Sequence, residues 1–412
     1  MKKRMASDVC QPKPLFDTLE NINNATNLND DLVNFQKDDY QKTILFLKSY
    51  TGSRGTFNSY RREVERLLQW SWLIEKKSIR ELRRINIEAY LAFCQKPPTG
   101  WIGTKKAPRF IEKCDIRTPN HEWRPFVVSI SKSAHRKGLK PDIKNYELSS
   151  TAIKDIFSIL SSFYNFLIQE DYTEINPLLS LRQKNKYIRK HHGKQKIRRL
   201  SELQWHYVIE TANLMANENS KDHRTLFIMT SLYAMYLRIS ELAASERWTP
   251  TMSDFYRDHD GLWWFKTVGK GNKERQISVS DAMLEALKKY RKSLYLSLLP
   301  SPADKSPLLP KTKGKGAISN TTYIRKIVQR CFDKAIVRLQ QDGFNEDADC
   351  LLEATVHWLR HTGISDDVKI RPREHVRDDA GHSSSAITDK YIDIELRDRH
   401  STARKKPINK ID

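Results

Sequence analysis

The stretch RQKNKYIRKHHGKQKIRR, residues 182–199, carries nine Lys or Arg and no acid. No single core can absorb such a run, because a buried unpaired charge costs several kcal/mol, on the order of a whole domain's margin of stability. The stretch therefore lies outside any core, and reads as a linker between helical bodies on either side. At 412 residues the chain is long enough for two or three domains, each with its own core. The stretch itself has two uses: a solvated linker, or a basic strap across a phosphate backbone.

The charge balance of the whole chain bears on that choice. A net charge of +22 and a pI near 9.6 imply a polyanionic partner, since such a surplus repels itself until something neutralises it. Nucleic acid comes first and an anionic membrane surface second. No run approaches the ~20 apolar residues of a membrane span, so no membrane is expected. Met1-Lys-Lys-Arg4 leads into polar residues rather than an apolar signal core. The cysteines (Cys10, Cys94, Cys114, Cys331, Cys350) are odd in number and scattered. They suit neither a disulfide framework nor a zinc ribbon, and the expected setting is intracellular, with reduced thiols.

Hydrophobic periodicity points to a mainly α chain. Residues 1–35 are polar and Asn/Asp-rich, and read as a flexible extension. Residues 36–181 form a helical domain. Phe57, Tyr60, Val64 and Leu67 recur at helical spacing, as do Ile87, Tyr90, Leu91 and Cys94 before Pro97-Pro98. Another stripe runs through Ile153, Ile156, Phe157, Leu160, Tyr164 and Leu167 to Asn176-Pro177. Between them, 97–147 lacks periodicity and holds eleven Lys/Arg against five Asp/Glu, so it reads as a loop-rich basic insertion. Residues 200–412 form a second domain with its own tail. A long helical region covers 226–244, and two β-rich runs flank Gly269-Lys270-Gly271-Asn272, the signature of a hairpin.

Four separated pieces of the second domain concentrate chemistry: Arg238 in YLRISEL, Lys270 at the hairpin tip, VHWLRHTG at 356–363, and His382 followed nine residues later by Tyr391. In VHWLRHTG one helical turn sets His357, Arg360 and His361 on a common face. Taken alone, that face could be a solvated edge, a zinc pair, or a grip on an oxyanion. Zinc proteases need Glu after the first His, where this chain has Trp358. Arg238 alone could be a surface residue, Lys270 turn chemistry, and Tyr391 a packing residue.

In this order, the motifs resemble those of the tyrosine recombinases, the phage integrase family. That family carries Arg in L-R-x-S-E-L, Lys in a G-K-G hairpin, then H-x-L-R-H, G-H, and Tyr nine residues on. The resemblance covers about 39–95, 150–180 and 196–400. It implies a SAM-like core-binding domain and a catalytic domain closing as a C-shaped clamp on double-stranded DNA. It implies site-specific recombination, the strand exchange of a mobile element by an integrase or excisionase. In such a reaction Tyr391 attacks phosphorus to give a 3′-phosphotyrosyl bond. Arg238 and Arg360 hold the non-bridging oxygens, and Lys270 protonates the leaving 5′ oxygen. His357 accepts the tyrosine proton, His382 steadies the phosphate, and His361 plays a supporting part. Glu241 either braces Arg238 or forms a plain surface pair. Phosphate contacts are expected from Arg182, Lys184, Lys186, Arg189, Lys190, Lys194, Lys196, Arg198 and Arg199. No metal or other cofactor is implied. The partners implied are DNA, a synaptic tetramer of the chain itself, and accessory recombinases or directionality factors, in the cytoplasm and nucleoid.

Other readings share parts of this pattern. A type IB topoisomerase-like or telomere-resolving enzyme uses the same chemistry, and an accessory protein could keep the fold for DNA binding alone. Three features depart from the simplest family members, the first being an N-terminal stretch too short and too acidic to be expected to form the arm-binding domain of some integrases. The second is the insertion at 97–147. The third is the charged segment ISDDVKIRPREHVRDDA, where a longer apolar helix pair is usual.

Overall fold

The computed structural model describes residues 11–22, 33–50, 53–113, 116–181, 198–269, 271–391 and 403–404. The chain divides into two compact units, Met1–Gly193 and Lys194–Asp412, so the division falls inside the basic stretch.

The first unit is built on α1 (Asn34–Ser49), α2 (Arg54–Trp70), α3 (Arg84–Gln95), the short α4 (Lys132–Arg136) and α5 (Ser150–Gln169). Ser53 and Ser149 start α2 and α5 by accepting a hydrogen bond from the backbone N–H three residues on. The expected stripes face inward, with Val64, Leu67, Ile87, Tyr90, Leu160 and Tyr164 fully buried. A buried carboxylate, Asp39, ties the unit together. It accepts from the Trp72 indole (2.8 Å), the Ser78 hydroxyl (2.7 Å), the Ile79 N–H (3.1 Å) and the Tyr172 hydroxyl (2.7 Å).

Two expectations for this unit need correction. Part of the supposed flexible extension is docked: Leu15, Phe16 and Ile22 are buried in the core, and Glu65 accepts the N–H groups of Leu15 and Phe16. Three apolar side chains in a polar stretch give no periodicity, yet they fill a gap beside α2. The insertion is likewise more than basic loop. In it β1 (Ile102–Gly103) pairs in parallel with β4 (Phe126–Val127), and β2 (Phe110–Lys113) pairs antiparallel with β3 (Ile116–Pro119). Trp101 and Phe126 are fully buried. The Arg109 guanidinium pairs with buried Glu65 and lies 4.7 Å over the Trp123 ring. Arg66 donates to the Pro125 carbonyl (2.8 Å) and stacks on Phe126. Strands of two to four residues are too short to show alternation.

The second unit contains α6 (Glu202–Glu218), α7 (His223–Ala234), the strands β5 (Phe255–Arg257), β6 (Trp263–Val268) and β7 (Glu274–Ser278), α8 (Asp281–Ser293), α9 (Thr321–Gln341), α10 (Asn345–Leu352), α11 (Val356–Asp367), α12 (Arg373–Ala380) and α13 (Ser385–Thr388). The antiparallel sheet runs β5-β6-β7, with Val268 opposite Glu274 at the expected hairpin. Gly271 and Asn272 close the turn at positive φ (81° and 59°), a region open to glycine and tolerated by asparagine. Phe227, Phe265, Ile277, Tyr290, Phe332 and Leu359 belong to one large core. A smaller cluster, Tyr236, Ile364, Val376, Ala380 and Tyr391, lies under the chemistry. Among the described residues no helix is long and apolar enough to cross a membrane.

Candidate active site

Arg238 does not lie within a continuous helix, as the pattern over 226–244 had suggested. Helix α7 ends at Ala234, Tyr236 takes a left-handed φ of 49°, and Arg238 caps a single 3₁₀ turn, Ile239–Glu241. The break has a physical cause. The Tyr236 carbonyl accepts a hydrogen bond from the Arg360 guanidinium, and its hydroxyl meets Asp367 and Arg371. A Tyr236 still in helical register would keep its carbonyl on the helix axis and forgo the first contact.

Glu241 resolves between its two readings as a brace. It is 1% exposed and accepts from the Arg238 backbone N–H (2.8 Å) and the Arg238 guanidinium (2.9 Å). The oxygen that accepts the backbone N–H also takes Arg275 at 2.6 Å. Arg275 was missed by the sequence reading. It sits on β7, donates to the Asp379 carbonyl, and presses so close to Gly381 that a Cβ there would lie 2.8 Å from its Cδ. Gly381 has φ +62°, so both space and backbone select glycine. A signal for Arg275 did exist: period-2 alternation places it on the face of the strand that also holds buried Ile277.

Helix α11 brings His357, Arg360 and His361 to one place. Gly363 lets it approach α7, because a Cβ there would overlap the Tyr233 carbonyl. Arg360 is 2% exposed and donates to the carbonyls of Tyr236 and Ala380, the latter at 2.7 Å. Burial, then Arg238 and Arg275, oppose its positive charge. Tyr391 ends a 3₁₀ turn, Asp389–Tyr391, and is 7% exposed. Its hydroxyl lies 2.6 Å from Nδ1 of His361. On the other side the His382 ring stacks on it at 5.7 Å, steered by a 2.9 Å bond from its Nδ1 to the Thr388 hydroxyl. The His357 ring stands edge-on to His361 at 4.7 Å.

The electrostatics follow from enclosure among cations. Burial, with Arg360 among the neighbours, lowers all three histidines, and His361 and His382 reach about 4. They are neutral at neutral pH. Burial raises the Tyr391 phenol, while Arg360 and Arg238 pull it the other way. Such opposed forces, a desolvated phenol facing two guanidinium groups, favour an anion that forms only with its new bond.

The charged segment after α11 solves its own packing. Asp379 accepts from the Ser278 N–H (3.1 Å), the Ser278 hydroxyl and Arg371 (both 2.6 Å). Hydrogen bonds to Ser278 and an ion pair with Arg371 thus seat α12 on β7, and the buried cluster at the tyrosine adds only four other apolar residues to Tyr391. Lys270 lies outside the described residues. Its neighbour Gly269 packs against the Arg238–Glu241 pair, with a Cβ there only 3.2 Å from the Glu241 carboxylate. Of the basic stretch, Arg182, Lys184, Lys186, Arg189, Lys190, Lys194 and Lys196 also lie outside. Arg198 is exposed, and Arg199 stands 3.8 Å from Asp366. Among the described residues no group of three or more His, Cys, Asp or Glu is placed to hold a metal ion.

Comparison with known proteins agrees with this geometry. No protein-family model matches the chain. Over 251 residues it is 26% identical to the tyrosine recombinase XerD of Staphylococcus saprophyticus, covering 60% of this chain and 72% of that one. It is 24% identical over 280 residues to the tyrosine recombinase XerC of Treponema denticola, 64% of this chain and 80% of the relative. In fold it is similar to the XerH site-specific recombinase, solved with palindromic difH substrate in a post-cleavage complex. The TM-score is 0.55 at 13% identity, over 97% of this chain and 92% of that one. With Arg238, the His357–Arg360–His361 face and His382 gathered around one buried tyrosine, the chain is similar in sequence and in fold to the tyrosine recombinases.

Proposed function

We propose that this protein is a site-specific DNA recombinase that cuts and rejoins double-stranded DNA through a 3′-phosphotyrosyl bond at Tyr391. The observation that carries this is the Tyr391 hydroxyl 2.6 Å from His361 of α11, beside buried Arg360, with the His382 ring stacked on the phenol. Arg238 and Arg360 receive the non-bridging oxygens of the scissile phosphate, with Glu241 and Arg275 holding Arg238 in aim. Lys270 protonates the leaving 5′ oxygen, and His382 steadies the phosphate. The covalent bond keeps the energy of the broken one until a 5′ hydroxyl attacks it. The basic stretch 182–199 and the two units on either side of it engage one duplex, and copies of the chain pair two duplexes for exchange. The solved complex of XerH with its DNA is in keeping with this reading. It extends to strand exchange of a mobile element.

The test is a suicide DNA substrate, nicked so that the cleaved end diffuses away. The unaltered chain should accumulate a covalent adduct resistant to denaturation. Tyr391→Phe should bind the same DNA and form none, since only the attacking oxygen is lost. An adduct with Tyr391→Phe would place the nucleophile elsewhere. Recombined junctions, relaxed circles or hairpin ends among the products separate recombinase, topoisomerase and telomere-resolving activities.

A further inference from the structure

The Tyr391 hydroxyl meets His361, whereas the family resemblance gives its proton to His357. Oη lies 2.6 Å from Nδ1 of His361, a hydrogen bond at the short end of the range. The position of this imidazole is fixed from several sides. Its neighbour Arg360 is anchored by two backbone carbonyls, and Gly363, two residues on, is pressed to α7. The His357 ring closes one edge of the site and the His382 ring backs the phenol. An imidazole held this way touches the reacting atom before substrate arrives.

We propose that His361 is the catalytic residue that takes the phenolic proton as Tyr391 attacks, leaving His357 to act on the phosphate. This rests on the reading of Tyr391 as the nucleophile. In the step, the Oη–H bond breaks and its proton passes to Nδ1 of His361. The freed pair on Oη forms the bond to phosphorus, and the P–O5′ bond breaks. The departing oxygen takes a proton from the general acid, the role given to Lys270. Religation runs the same path backward, with His361 returning the proton to Oη.

The tautomer required carries its proton on Nε2 and leaves Nδ1 open. Burial, with His357 and Arg360 beside it, holds His361 neutral down to about pH 4, and the step uses the neutral ring whose Nδ1 faces the hydroxyl. So weak a base cannot deprotonate a buried phenol in advance. The transfer must be concerted with bond formation, when charge leaves the oxygen for phosphorus and the phenol turns acidic.

The test uses the full chain and single-turnover cleavage of the suicide substrate. Variants are His361→Ala, His361→Asn and His357→Ala, each with Tyr391 natural or replaced by a fluorinated tyrosine whose phenol ionises near neutrality. His361→Ala should cleave ~10²–10⁴-fold more slowly with unchanged DNA affinity, the usual weight of a general base. His361→Asn can still hold the hydroxyl but cannot take its proton, so it should be comparably slow. It also decides the matter if the alanine variant does not fold. The acidic phenol should restore most of the loss in both, and little in His357→Ala. Cleavage within a few-fold of normal in the His361 variants, or restoration confined to His357→Ala, overturns the proposal. An unaltered chain that forms no adduct would overturn the nucleophile reading as well, so the two failures are distinguishable.

Discussion

Replacing Glu241 by alanine should damage stability and chemistry together, and the structure says by how much. The substitution removes the acceptor for the Arg238 backbone N–H and for two guanidinium groups. The Arg238 side chain is 28% exposed and can rehydrate, whereas Arg275, at 8%, cannot. The stranded Arg275 charge therefore dominates, at about 3–5 kcal/mol for a broken buried pair. Domains of this size lose about 2–4 °C of melting temperature per kcal/mol, so the drop should be roughly 6–20 °C. Arg238 also loses its aim, and cleavage should fall by about 10²–10³, as when one transition-state donor is lost. Calorimetry on the full chain and suicide-substrate cleavage below the lower melting temperature measure the two effects separately. Adding Arg275→Met to Glu241→Ala removes the stranded charge, and should recover much of the stability without recovering cleavage. A melting point within about 2 °C of the unaltered chain, or a double variant no more stable than the single one, would refute the argument.

Three further outcomes are expected. Alanine at Arg189, Lys190, Lys194 and Lys196 should flatten the slope of log affinity against log salt by up to about 3.6, at about 0.9 per lost phosphate contact. An unchanged slope in a salt titration means the stretch makes no such contacts. Folded His361 and His382 titrate near 4 against an unfolded 6.5, so the unfolded chain binds more protons between those values. Stability contributed by these groups is complete above about pH 6.5 and is lost as pH falls toward 4. Thermal melts should show a shallower acid loss when both are asparagine. Truncation after Glu395 should leave binding to one site intact and abolish complexes joining two duplexes, read by gel shift and sizing. Truncated protein that still pairs duplexes would show that the tail is not the coupling element.

How much of this was legible in sequence depends on distance along the chain. The stripes of α2, α3 and α5 are local, and the hairpin announces itself through turn residues. The site motifs were legible because each functional residue sits in a short word. What escaped is what only tertiary contact decides. The helix break at Tyr236 exists because a guanidinium more than a hundred residues away claims its carbonyl. Arg275 stands in no short motif, and only the fold brings Glu241 and the Asp379 carbonyl around it. Trp101, Trp123 and Phe126 had no periodic partners, so the insertion read as loop, although its side chains are core. The charged segment after Arg360 looked unfit for packing because Asp379 finds its partners at Ser278 and Arg371, beyond its own helical turn.

The two carbonyls held by Arg360 make it a strut between chain segments, beside the part proposed for it as a ligand for phosphate. Of its five N–H donors, some knit residue 236 to residue 380, and only the others are left for the phosphate the proposed reaction brings. Lysine supplies charge but no planar fork, so it cannot span both carbonyls and still present a donor pair. Inactive Arg360 variants are therefore poor controls for binding experiments, because they loosen the frame that seats Tyr391. Variation at this position cannot tune catalysis and leave architecture alone. The molecule has made the same five hydrogens answer for both.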